Sequence, residues 1–159
     1  MKLKPLARNI LPAIAVAGFG FILLNLAFIF DFLFQSAVLW FVRLFVRLSD
    51  DDLNIIGWIP PAMHLSFVIV IGLISWFVFR SKLRVLFKAI FMTVPTAVVL
   101  VTLGMFLYRW PLVSYSVGTL SSAAVLYCFY RTKQPWLYFY TVILISLTLF
   151  VFTLSGGEI

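Results

Sequence analysis

The sequence predicts an all-α integral membrane protein: a five-span transmembrane helical bundle with an amphipathic interfacial helix after the first span. Three observations carry that expectation. Of the 159 residues, 64% are hydrophobic; several apolar runs reach the roughly 20 residues that a bilayer crossing needs; and the charges segregate by sign along the chain. With 159 residues the chain has room for a single transmembrane domain, stabilised by helix packed on helix in lipid.

The spans fall near 10–30, 62–79, 89–108, 112–130 and 136–155. The first follows a basic start and contains Ala15, Val16 and Ala17, a small-residue pattern resembling a signal-peptide cleavage site. The apolar run before that site is short and the run continues well beyond it, so an uncleaved span is expected.

Residues 32–48 are the ambiguous segment, apolar but interrupted by Arg43 and Arg47. A crossing here would put the Lys2 to Arg8 cluster opposite the Arg80 to Lys88 cluster, and short basic loops stay on the cytoplasmic side. With five spans and the N-terminus inside, Lys2, Lys4, Arg8, Arg80, Lys82, Arg84, Lys88, Arg131 and Lys133 share the inner side. Arg43, Arg47, Arg109 and all five acids, Asp31, Asp50, Asp51, Asp52 and Glu158, then lie outside with the C-terminus. On a helix, Gln35, Ser36, Arg43, Arg47 and Asp50 form a polar stripe against a wide apolar face, so residues 32–48 are expected to lie in the outer interface. Such a helix either anchors the bundle or lines a lateral entry or partner contact. Trp76 and Trp136 fall at the inner boundary, Trp110 at the outer one and Trp58 in the outer loop, the levels that amphipathic rings prefer.

Pro95 is expected to kink the third span, with Thr93 and Thr96 near the carbonyl it releases. In the fourth span Ser114, Gly118, Ser121 and Ser122 place small residues on adjoining positions. That face serves close helix packing or a hydroxyl-lined path, with packing the expectation. A shift of 51 residues aligns Pro60 with Pro111, Arg80 to Lys82 with Arg131 to Lys133, and Thr102 to Gly104 with Thr153 to Ser155. Spans two and three then resemble spans four and five in parallel orientation, an arrangement known among transporters.

Conventional catalytic chemistry is thinly represented. One histidine, His64, and one cysteine, Cys128, exclude multi-histidine or multi-cysteine metal centres and internal disulfides. The two are expected at opposite ends of the bundle, too far apart for a Cys-His pair. Asp50, Asp52 and Asn54 have the spacing of the first ligands of a calcium loop, but Ile55 stands where glycine is needed and the closing glutamate is missing, so a solvated turn is expected. Asp31, at the end of the first span, is an ionisable group near hydrocarbon. It is expected either to pair with Arg43, Arg47 or Arg109 or to serve transport or catalysis. Asn25 is expected to bond to another helix.

The function expected is therefore nonenzymatic: a small transporter or channel subunit, or an accessory subunit of a larger complex, in a bacterial-type cytoplasmic membrane. Substrate or partner contacts are expected at Asn25, Asp31, Arg43, Arg47, Arg109, Ser114, Gly118 and Ser121. The partners expected are membrane lipid and a second copy or another membrane protein, without nucleic acid, cofactor or metal. The alternative is a lipid-processing enzyme at the outer leaflet, with Asp31, His64 and Asp51 as its catalytic groups and Arg109 nearby. That alternative requires these side chains to converge around a cleft, whereas transport requires polar groups and a continuous cavity near mid-membrane.

Overall fold

The computed structural model describes residues 5–45 and 59–155. Five helices account for nearly all of them: α1 (Pro5–Phe45), α2 (Ile59–Arg80), α3 (Val85–Leu107), α4 (Pro111–Arg131) and α5 (Trp136–Leu154). Each is long and apolar enough to cross a membrane. Helices suit that environment because every backbone N–H and C=O within the segment is satisfied internally.

The first helix differs from expectation. No break separates a span ending at residue 30 from a second helix beginning at 32, and α1 runs 41 residues without interruption. The local chemistry explains why. Between Phe28 and Leu44 there is neither glycine nor proline, and the polar groups are satisfied along the helix itself. Gln35 Nε2 donates to Asp31 Oδ1 at 2.9 Å, and Ser36 Oγ donates to Phe32 O at 2.8 Å. At 1.5 Å per residue α1 is about 60 Å long, about twice a hydrocarbon core. Residues 46–48, including Arg47, lie outside the described residues, as do Asp50, Asp51, Asp52, Asn54, Trp58 and Glu158.

The turns follow from their sequences. At the α2–α3 turn the Lys88 ammonium donates to Phe79 O at 2.7 Å, placing a cation on the last carbonyls of α2. Pro111 opens α4 at a position where its missing N–H costs nothing. At the end of α4, Gln134 N reaches Phe129 O at 3.0 Å and Lys133 takes a left-handed φ of 50°, the geometry that usually selects glycine.

α3 is the central helix. It contributes Ala89, Met92, Thr93, Val94, Ala97 and Val98 to the interior, whereas α4 contributes no buried residue. The core has two parts. Val16, Ala89, Met92, Leu137, Tyr138 and Val142 join α1, α3 and α5 near the basic turns, and Phe67, Ile71, Val94 and Val98 pack with Leu23, Ala27 and Phe34 further along. α1 and α3 therefore run side by side in the same direction. They approach closely at Gly20, where an added Cβ would stand 2.6 Å from Thr93 Cγ2. Small residues permit such approaches, and dispersion contacts then supply most of the attraction between helices in lipid.

Candidate functional site

Two polar features stand on opposite faces of α3. The first lies among α1, α2 and α3 at the end remote from the basic turns. His64, five residues into α2, is only 6% exposed. Its Nε2 lies 2.9 Å from Thr102 Oγ1 on α3, and its Nδ1 lies 3.8 Å from Asp31 Oδ2 on α1. The other Asp31 oxygen accepts from Gln35. Thr102 Oγ1 also lies 2.6 Å from Val98 O, the carbonyl one turn back in its own helix. Phe67 packs against the imidazole with ring centroids 6.3 Å apart, and Phe30 and Phe34 each pack on Phe67 at 6.0 Å. The polar chain Gln35, Asp31, His64, Thr102 thus crosses three helices inside an aromatic wall.

Of the partners expected for Asp31, Arg47 lies outside the described residues, and Arg43 and Arg109 are not in contact with it. Its described contacts are His64 and Gln35. Arg43 is twelve residues further along α1, about 18 Å away by helical rise. Arg109 instead lies beside Tyr108, with Nε donating to the phenolic oxygen at 3.1 Å. That hydrogen bond raises the arginine pKa above its ordinary value. Asn25 also departs from expectation: it is exposed, and its Nδ2 donates to Phe21 O of its own helix at 2.8 Å instead of bridging to a neighbour.

The second feature is a track of three cavities between α3, α4 and α5. One of about 300 Å³ is lined by Gly104, Ser114, Gly118, Ser122, Ser146 and Thr153, among others. It shares Leu100 and Ser122 with a second cavity of about 200 Å³ that includes Pro95, Thr96 and Ser121. The second shares Thr96, Val125 and Val142 with a third of about 460 Å³ that reaches Lys88, Gln134 and Tyr138. The three cavities therefore follow one another from the Ser114 and Thr153 end to the basic turns, each sharing wall residues with the next. Midway, Ser122 Oγ donates to Gly118 O at 2.9 Å and lies 2.9 Å from Ser146 Oγ on α5. With the Ser122 proton committed to Gly118 O, Ser146 is the donor between them.

The small residues of α4 consequently act differently from the packing expectation. A Cβ added to Gly118 would meet only Leu100 Cδ2, at an ordinary 3.9 Å. Ser114, Gly118 and Ser121 border open space. The close-packing glycine is Gly20, which hydropathy did not single out because its significance comes from Thr93 on another helix. Thr102 was partly accessible to reasoning: in an antiparallel hairpin turning near residue 83, positions 64 and 102 are level.

The chemistry open to the two features differs. The chain of Asp31, His64 and Thr102 has the order of an acid, a base and a hydroxyl, each held within a helix. It can hold and pass a proton. The track can hold a small solute or water against hydroxyl groups. Among the described residues no group of three or more histidine, cysteine, aspartate or glutamate side chains could hold a metal, and Cys128 is a free, exposed thiol. The fold is a bundle of five helices, each long and apolar enough to cross a membrane, with a buried polar cluster among α1, α2 and α3 and a row of part-polar cavities between α3, α4 and α5. Compared with known proteins, the chain matches no family model, no curated protein and no solved structure.

Proposed function

We propose that this protein is a nonenzymatic transport unit that passes a small polar solute along the track between α3, α4 and α5. The observation that supports this reading is the succession of three neighbouring cavities, each sharing lining residues with the next, between the Ser114 and Thr153 end and the basic turns. Hydroxyl groups of Ser114, Ser121, Ser122, Ser146 and Thr153 replace water contacts along it, and Lys88 and Gln134 stand at the basic end. An accessory subunit would more naturally have a filled interior and a flat apolar flank for its partner.

Orientation enters through charge. Arg80, Lys82, Arg84, Lys88, Arg131 and Lys133 cluster at the α2–α3 and α4–α5 turns, so this end is cytoplasmic by the positive-inside rule and the protein belongs in a cell membrane. The end of α1 beyond Asp31 then emerges outside, where Trp40, Phe41 and Leu44 are exposed for contact with the lipid interface. A second copy closing the lipid-facing side of α4 would seal the track.

The lipid-processing alternative draws on the approach of His64 to Asp31, but Arg109 is engaged with Tyr108 and Asp51 is outside the described residues. The test of transport uses single cysteines at Ser121 and at lipid-facing Leu120, each in the Cys128→Ala protein reconstituted in liposomes. A water-soluble thiol reagent is expected to modify the cysteine at 121 at least about tenfold faster, because thiols react from water as thiolates. Equal rates at the two positions would mean a dry groove and end the transport reading.

A further inference from the structure

We propose that Asp31, His64 and Thr102 form a proton-binding site, and that its occupancy sets the position of the outer half of α3 and hence the width of the track. The coupling half of this proposal rests on the transport reading; the proton site stands independently.

The hydrogen inventory carries the argument. Thr102 has one hydroxyl proton and two acceptors in reach, Val98 O at 2.6 Å and His64 Nε2 at 2.9 Å. When that proton serves Val98 O, Nε2 must carry a hydrogen and donate to Thr102. The imidazole Nδ1 then faces the Asp31 carboxylate at 3.8 Å, and one further proton between them turns two opposed lone pairs into a charge-assisted contact. When that proton is absent, the neutral ring keeps its hydrogen on Nδ1, towards Asp31. Nε2 then accepts, so Thr102 must give up Val98 O and donate to His64. Loss or gain of one proton thus reverses the hydroxyl on α3.

The balance is simple. Neutral His64 with ionised Asp31 has net charge −1, and one proton taken from water brings the pair to zero, either as imidazolium with carboxylate or as imidazole with carboxylic acid. Net charge among buried aromatic rings is poorly screened, so this change is strongly felt. The groups facing the pair are Gln35 from α1, the rings of Phe67 from α2 and the Thr102 hydroxyl from α3; no other charged side chain meets it among the described contacts.

The consequence reaches the track because α3 is its wall. Pro95 removes a backbone donor in mid-helix and so provides a bending point below Thr102. The segment beyond Pro95 carries Thr102 on one face and Leu100 and Gly104 on the cavity face. The contact with His64 persists in both states, but the bond from Thr102 to Val98 O, a back-bond of the kind that bends helices, is made in one and released in the other, and that difference in bend moves the wall.

His64 is the only histidine, so nitrogen NMR of histidine-labelled protein in lipid reads its tautomer and protonation without assignment. Between about pH 5 and about pH 9 the nitrogens are expected to pass from the doubly protonated form, or from Nε2–H, to Nδ1–H, with the midpoint displaced in Asp31→Asn. Nitrogens that do not change over this range, or a titration identical in Asp31→Asn, would overturn the proton site. Coupling is read by a nitroxide at Ser114→Cys in the Cys128→Ala protein, using accessibility to a water-soluble nickel chelate. Accessibility is expected to change roughly threefold over the same range and to become flat in His64→Gln. A wet track whose accessibility ignores pH, or keeps its pH profile in His64→Gln, would overturn the coupling while leaving transport standing. A track dry at every pH would instead remove the transport reading and leave the NMR result to decide the proton site.

Discussion

Replacing Gly20 with alanine tests the close approach of α1 to Thr93 of α3. The added methyl would lie 2.6 Å from Thr93 Cγ2, about 0.8 Å short of ordinary van der Waals contact. Thr93 has little room to yield: it is 1% exposed, and its hydroxyl donates to Ile90 O at 2.8 Å and lies 3.4 Å from Gly20 O. Rotating the threonine side chain would break the bond to Ile90 and leave a buried hydroxyl unsatisfied, costing about 1–3 kcal/mol. Separating α1 from α3 would instead loosen Val16 from Met92 and its neighbours, and overpacking of this kind costs about 1–3 kcal/mol. Alanine gains back up to about 1 kcal/mol in helix propensity. The net expectation is a loss of about 1–2 kcal/mol, or roughly 2–8 °C in Tm for a chain of this size. Thermal unfolding in a fixed detergent measures it, and Thr93→Ser, which removes Cγ2 and retains the hydroxyl, is expected to restore most of the loss in the double variant. A Gly20→Ala protein as stable as the parent, or additive single and double effects, would refute the packing argument.

Two further outcomes follow from the same geometry. Ser122→Ala and Ser146→Ala each remove one side of the α4–α5 hydroxyl contact, and each is expected to cost about 0.6 kcal/mol, the average for such bonds in a membrane. The double variant should cost little more than either single, and additive losses would show that the contact contributes nothing. For orientation, cysteines replacing Lys82 and Arg109 sit at opposite ends of α3; in the Cys128→Ala protein an impermeant thiol reagent applied to intact cells should label position 109 alone. Labelling of 82 from outside would invert the topology.

The span count was legible because it depends on local hydropathy. The four later helices begin and end where Pro111, the Arg80 to Arg84 turn and the Thr132 to Pro135 turn punctuate apolar runs. Asp31 and His64 were also legible as individuals, each a rare ionisable group in an apolar setting. Their meeting was not. Asp31 lies in a helix joined to α2 through a long connection, so no counting of residues places the two side chains at the same level.

Residues 30–32 mark the other boundary of sequence reasoning. A change in hydropathy from a pure apolar run to one with Arg43 and Arg47 suggested two elements, whereas backbone continuity depends on hydrogen bonds, and Gln35 and Ser36 satisfy theirs within one helix. For α4 the sequence showed small hydroxyl residues without showing whether a neighbour fills the space above them; α3 and α5 leave a track there because Leu100 stops 3.9 Å from a Cβ at Gly118 and Ser146 reaches across.

The sequence by itself determined that this chain forms helices long and apolar enough to cross a membrane and which end of them carries the positive charge, because transfer to lipid and helix propagation act on neighbouring residues. Only the tertiary structure decided that Asp31, His64 and Thr102 share one polar chain, that Gly20 must be small and that α4 borders open space. Those depend on the register between helices, which is set by side-chain fit across long sequence separations, 73 residues in the case of Gly20 and Thr93.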